Sequence, residues 1–132
     1  VERQGMHNTP ATYPIYIAGL VFRWLQSQGG VEHMETINTL KAKTLYAAID
    51  NSGGFYRNRV APAARSKMNV IFTTGNKELD ELFVQESTTR GLRLLGGYKS
   101  MGGMRASIYN AMPLQGVEAL IEFMREFQKR YG

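Results

Sequence analysis

Cysteine is absent from this 132-residue chain, which removes disulfides, thiolate metal sites and a cysteine nucleophile together. That is compatible with a reducing compartment. Histidine occurs only at positions 7 and 33, and neither residue has a Cys or acidic partner at ligand spacing, so no metal centre is expected. Long apolar runs are missing as well. Residues 5–22 carry no Asp, Glu, Lys or Arg, but Asn8, Thr9, Pro10, Thr12 and Pro14 interrupt them, and the apolar part is too short to span a bilayer. The polar first residues do not form the basic-then-apolar pattern of a secretory signal. Ser52, Ser66, Ser87, Ser100 and Ser107 stand outside any nucleophile-elbow pattern and read as turn or surface serines. Gly102-Gly103 runs into Met104-Arg105 and a strand rather than a helix, which excludes both a Walker loop and a dinucleotide fingerprint.

What is present fits a globular chain: 43% hydrophobic and 20% charged residues. A chain of this length buries roughly two thirds of its unfolded surface, enough for a core. The net charge of +5 is spread from Arg3 to Arg130, with tighter groups at Arg57 to Lys67 and Arg90 to Lys99. No run is dense enough to follow a nucleic-acid backbone, so small anionic substrates are the better reading of the charge.

Along the chain, Tyr13, Tyr16, Ile17, Leu20, Val21, Trp24 and Leu25 recur at helical spacing, and Ile15, Ala18 and Phe22 make the opposite face apolar too. A helix apolar on both sides belongs inside a larger structure. Thr12 is its expected cap and Gly29-Gly30 its stop. The opening at Val1 lacks an initiator methionine and reads as a start in mid-protein. A second helix is expected from Val31 to about Asp50, with Met34, Ile37, Leu40, Leu45, Ala48 and Ile49 inward and Glu32, Glu35, Lys41 and Lys43 outward. Short strands are expected at Phe55-Tyr56, Met68 to Thr73, Leu92 to Leu95 and Ala106 to Asn110. Between and after them come helices over Lys77 to Arg90, capped at Gly75-Asn76 and closed by Gly91, and over Leu114 to Tyr131. This order predicts an α/β chain of the α+β kind, a small, mostly antiparallel sheet with helices packed on one face.

The segment from Gly96 to Pro113 joins four glycines to Lys99 and Arg105. Glycine lets the backbone turn sharply and approach a ligand closely. Lys99 supplies a point charge and Arg105 a planar fork for carboxylate or phosphate. The corner has no catalytic group of its own.

Several segments read together, namely Asn8-Thr9-Pro10, Gly19-Leu20-Val21-Phe22 with Trp24-Leu25, Ile49-Asp50-Asn51-Ser52, Phe55-Tyr56-Arg57-Asn58, Arg65-Ser66-Lys67-Met68-Asn69-Val70 and above all Gly102 to Pro113, carry a specific likeness. In order and spacing they resemble the C-terminal third of the phosphoserine aminotransferases, over essentially the whole chain. The resemblance implies a homodimeric, cytoplasmic, class V, fold-type I enzyme of serine and pyridoxine biosynthesis. It would use pyridoxal phosphate to pass an amino group between glutamate and 3-phosphohydroxypyruvate, with no nucleic-acid or membrane partner. It also implies that residues 1–30 end the large domain and that residues 31–132 form the small C-terminal domain.

By the same resemblance Asn8 and Thr9 match the pair that reaches the cofactor phosphate of the other subunit, and Arg105 the arginine that grips the substrate α-carboxylate. Tyr98 and Lys99 depart from a His-Arg pair that helps bind the substrate phosphate. Lys99 keeps the charge but loses the fork, which implies retained activity with altered phosphate affinity. The family's Schiff-base lysine motif has no match here, since none of Lys41, Lys43, Lys67, Lys77, Lys99 or Lys129 stands in that context. No catalytic residue is therefore assigned, and the chain alone is expected to be inactive. The alternative is a free-standing, non-catalytic α+β domain that binds small anions or a protein partner through Arg105, Lys99 and the first helix.

Overall fold

A computed structural model describes residues 8–98 and 100–132, so the opening segment with His7, and Lys99, lie outside the described residues. The chain divides into two units, Val1–Glu35 and Thr36–Gly132.

The first unit holds helix α1, Thr12–Ser27, and the start of helix α2, Gly30–Asp50. Thr12 is not the cap of α1: Ala11 occupies that position without a side-chain hydrogen bond, and the Thr12 amide donates to the Pro10 carbonyl at 2.8 Å. Gly29 and Gly30 separate the helices with φ of 96° and 76°, a conformation that costs glycine little. No residue of α1 is buried, and Tyr13, Ile15, Tyr16 and Phe22 are all at least 60% exposed. Among the described residues no helix is long and apolar enough to cross a membrane.

The second unit contains the remainder of α2, strand β1 (Asn69–Phe72), helix α3 (Lys77–Thr89), strand β2 (Met104–Ser107) and helix α4 (Leu114–Tyr131). A single 3-10 turn at Pro62–Ala64 precedes β1. The strands pair antiparallel, with Asn69 opposite Ser107 and Phe72 opposite Met104. Strand alternation sends Val70, Phe72, Met104 and Ala106 into the core and leaves Ile71, Arg105 and Ser107 on the other face.

Against the inner face pack Leu45 and Ile49 of α2, Phe83 of α3, and Val117, Leu120, Met124 and Phe127 of α4. Phe83 is the hub. Its ring lies edge-on to Phe72 at 5.7 Å, Phe123 at 4.9 Å and Phe127 at 5.0 Å, and each such pair adds about 0.5–1.5 kcal/mol beyond area burial. Tyr56 joins the cluster and donates its hydroxyl to the Met124 carbonyl at 2.9 Å, while burial pushes its phenol pKa up. Buried Ser52 is the turn serine expected of it: its hydroxyl donates to the Ile49 carbonyl and accepts from the Tyr56 amide.

Helix α3 begins and ends as its sequence dictates. The Asn76 side chain accepts from the Leu79 amide at 2.9 Å. At the other end Gly91 adopts φ 83°, with the Gly91 amide on the Thr88 carbonyl and the Leu92 amide on the Ser87 carbonyl. That pair of bonds is a Schellman closure.

Three strand expectations change. Leu92 to Leu95 forms no strand, because Leu94 turns left-handed at φ 62°, and only Gly96 bridges to Met104. Phe55-Tyr56 gives way to one bridge, between Arg57 and Thr73. The last strand starts two residues before its expected position, at Met104, because the positive φ of Gly102 and Gly103 turns the chain directly into it.

Lys41, expected on the outer face of α2, is completely buried, whereas Leu40 is 45% exposed. The Lys41 ammonium donates to the carbonyls of Ile108 at 3.2 Å, Tyr109 at 2.7 Å and Met112 at 2.9 Å. It thereby satisfies backbone acceptors in the turn that follows β2. Desolvation lowers its pKa.

Candidate functional site

The uncovered face of the sheet forms one wall of a cleft of about 410 Å³. Its floor is the row Ile71 and Arg105, paired across β1 and β2. One rim is the Gly97–Gly103 turn, and the other is the Arg57 bridge with the start of α3.

Glycine is required at two points of the first rim. A β-carbon on Gly97 would collide with the Gly102 carbonyl oxygen, and one on Gly103 would stand 2.8 Å from that of Phe72. The close approach allows the Gly97 amide to donate to the Gly103 carbonyl at 2.9 Å and the Gly102 amide to that of Tyr98 at 2.8 Å. The turn folds Tyr98 back over β2.

Arg105 is half-buried, with its guanidinium carbon 4.7 Å from the centre of the Tyr98 ring. Its Nε is buried and has no hydrogen-bond partner among the described residues. A buried charged group whose donor lacks a partner is costly unless something else supplies the acceptor. Stacking on the tyrosine limits the directions the fork can take. The arrangement therefore holds an arginine oriented and incompletely satisfied at an open cleft, which suits capture of a planar carboxylate.

Arg57, Arg59 and Lys77 line the same cleft. None was singled out as a site residue from the sequence, and the available signal was the basic group beginning at Arg57. Among the described residues the only carboxylate in the lining is Asp80, which is buried and turned to local work. It accepts from the Thr73 hydroxyl at 2.6 Å, the Thr74 amide at 2.8 Å and the Thr74 hydroxyl at 2.7 Å. The cleft is thus cationic, with its one acid committed to the turn before α3.

Of the residues expected from the sequence, Tyr98 and Arg105 come together in this cleft, and Lys99 lies outside the described residues. Asn8 and Thr9 belong to the first unit, exposed just ahead of α1, and neither makes a hydrogen bond to a described residue. At the start of α1 the Thr12 and Ile15 amides are taken by the Pro10 and Ala11 carbonyls and Pro14 has no N–H, which leaves the Tyr13 amide without a described acceptor. The Asn8 side-chain amide and the Thr9 hydroxyl are donors that a phosphate group can use, so these residues fit the phosphate end of a cofactor.

Known proteins share both the sequence and the fold. The phosphoserine aminotransferase of Neisseria meningitidis serogroup A (strain Z2491) is 67% identical over 132 residues, which is all of this chain and 36% of that protein. That of Chromobacterium violaceum is 53% identical over 131 residues, 99% of this chain and 36% of that protein. Among solved structures, the phosphoserine aminotransferase of Bacillus circulans subsp. alkalophilus superposes with a TM-score of 0.93 at 42% identity, covering 99% of this chain and 36% of that one. The PLP-bound enzyme of Trichomonas vaginalis gives a TM-score of 0.84 at 40% identity, over 94% of this chain and 36% of that one. The chain therefore spans about 36% of the length of these relatives. The family model for class-V aminotransferases matches residues 2–120, and the chain belongs to the class-V aminotransferase family.

Proposed function

We propose that the protein to which this chain belongs is a pyridoxal-phosphate-dependent phosphoserine aminotransferase, exchanging an amino group between glutamate and 3-phosphohydroxypyruvate. The chain would contribute the carboxylate grip and part of the cofactor's phosphate site. Arg105 carries the reading, as a fork stacked on Tyr98 whose guanidinium has no acceptor among the described residues, in a cleft whose one described carboxylate, Asp80, is committed elsewhere. The relatives named above supply the reaction class.

In this reading both substrates present an α-carboxylate, and Arg105 holds it in a bidentate pair that fixes the orientation of the reacting carbon. Tyr98 keeps the guanidinium from swinging away and brings no charge of its own. Lys99 contributes a point charge to the substrate phosphate in place of a fork. Asn8 and Thr9 donate to the cofactor phosphate, and across a homodimer they would do so for the partner subunit. Bound pyridoxal phosphate would supply the electron sink that the chemistry needs. Residues 1–30 would close the large domain, residues 31–132 would form the small one, and the enzyme would work in the cytoplasm.

The test is glutamate-dependent turnover of 3-phosphohydroxypyruvate by the full-length protein, with Arg105→Gln as the probe. Two lost charge-assisted bonds, at about 1.5 kcal/mol or more each, predict a fall in kcat/KM of about 100-fold. Absence of both cofactor absorbance and turnover in the unmutated protein would refute the proposal.

A further inference from the structure

We infer that Arg59 is a second anion contact of the cleft, receiving the distal anionic group of a substrate whose α-carboxylate is held by Arg105; the substrate assignment rests on the transaminase reading above. The argument is one of register. Arg57 and Thr73 exchange backbone hydrogen bonds at 2.8 and 3.0 Å, which adds a third extended segment beside β1. Continuing that antiparallel register brings Arg59 alongside Ile71, whose partner on the other side is Arg105. The Asn58 side-chain amide takes the Ile71 carbonyl at 2.7 Å, which anchors the segment at this level and ends its backbone ladder. By that register Arg59 and Arg105 fall on opposite sides of Ile71, and both line the cleft. Two strand spacings put their backbones about 10 Å apart, and two long side chains leaning inward leave room for a short molecule with an anion at each end.

The other cations of the cleft are engaged. The Arg57 Nε donates to the Gly54 carbonyl at 3.2 Å, and its guanidinium lies against Gly75. Lys77 stands 3.9 Å from Glu81, one turn along α3. Arg59 has neither a hydrogen bond nor an ion pair to any described residue. Its fork offers a planar two-donor contact suited to phosphate.

The test uses the full-length enzyme and four forms of it: unmutated, Arg59→Gln, Arg59→Lys and Arg93→Gln. Arg93 is an exposed cation outside the cleft lining, so its variant controls for net charge. The first readout is the ratio of kcat/KM for a phosphorylated 2-oxo acid to that for its non-phosphorylated counterpart. Loss of one solvent-accessible ion pair predicts that Arg59→Gln lowers this ratio about five-fold. Arg59→Lys should restore part of it, and Arg93→Gln should leave it unchanged. The second readout is the affinity for inorganic phosphate by calorimetry, which needs no turnover and should fall by a similar factor in Arg59→Gln. An unchanged ratio and an unchanged phosphate affinity in Arg59→Gln overturn the inference, as does an equal effect of Arg93→Gln. If no form transaminates yet Arg59→Gln still weakens phosphate binding, the anion contact stands and the transaminase reading falls.

Discussion

Lys41→Met keeps the length and apolar stem of the side chain and deletes only the ammonium. Three carbonyls lose a donor, those of Ile108, Tyr109 and Met112. The Tyr109 carbonyl keeps a second donor in the Met112 amide at 2.9 Å, whereas the buried Ile108 carbonyl is left without one among the described residues. An unpaired buried acceptor costs about 1–3 kcal/mol, and a partly exposed one costs less because water reaches it. Removing a desolvated charge returns a fraction of that loss. The net expectation is a destabilisation of about 2 kcal/mol, a large share of the roughly 5–15 kcal/mol that holds a domain together. Urea unfolding should show it as a drop of about 1 M in midpoint with an unchanged slope.

The sign of the pH dependence follows from the lowered pKa. Desolvation holds the folded-state pKa of Lys41 below the ordinary lysine value, so the unfolded chain binds more protons between the two. The stability tied to this group is complete above the unfolded value and is lost as pH falls through the folded one. The deficit of Lys41→Met should therefore widen as pH rises toward that of free lysine. A midpoint equal to that of the unmutated chain, or a deficit independent of pH, would show that water replaces the ammonium without cost.

Gly97→Ala forces a β-carbon against the Gly102 carbonyl and should open the turn that seats Tyr98 on Arg105. We expect a loss of about 1–3 kcal/mol together with weaker phosphate binding; a melting temperature within about 1 °C of the unmutated chain contradicts it. Asp50 accepts hydrogen bonds from both terminal nitrogens of Arg65, at 2.6 and 2.8 Å, and that pairing holds its carboxyl below the usual carboxylate range. Its stabilisation is present at neutral pH and disappears as pH falls through the folded value. Asp50→Asn should thus flatten the acid limb of the stability curve, and identical acid limbs by circular dichroism would refute the assignment.

The sequence made α4 legible to its ends, because an apolar stripe ran between Pro113 and Gly132 and both terminal signals were local. The same holds for the Asn76 cap and the Gly91 closure. The glycine corner that brings Tyr98 to Arg105 was legible as a motif of neighbouring residues. Lys41 was not, since periodicity records which positions face inward and says nothing of carbonyls on a turn 67 or more residues away. Arg59 was hidden for a related reason: its relation to Arg105 exists only once β1 lies between them. The missing strand at Leu92 to Leu95 failed on one dihedral angle, at a residue type that gives no warning of a positive φ.

The pairing of β1 with β2 has a kinetic consequence. Asn69 and Ser107 are 38 positions apart, with α3 and the glycine turn between them, so the two strands meet only after a long loop closes. Helix α3, by contrast, can form from contacts within a few residues. Loop-closure entropy must be met before the strand contacts return anything, which places the exposed face among the later features to assemble. Until then the chain has its cations but no cleft, and the row that gathers them exists only when the sheet itself is complete.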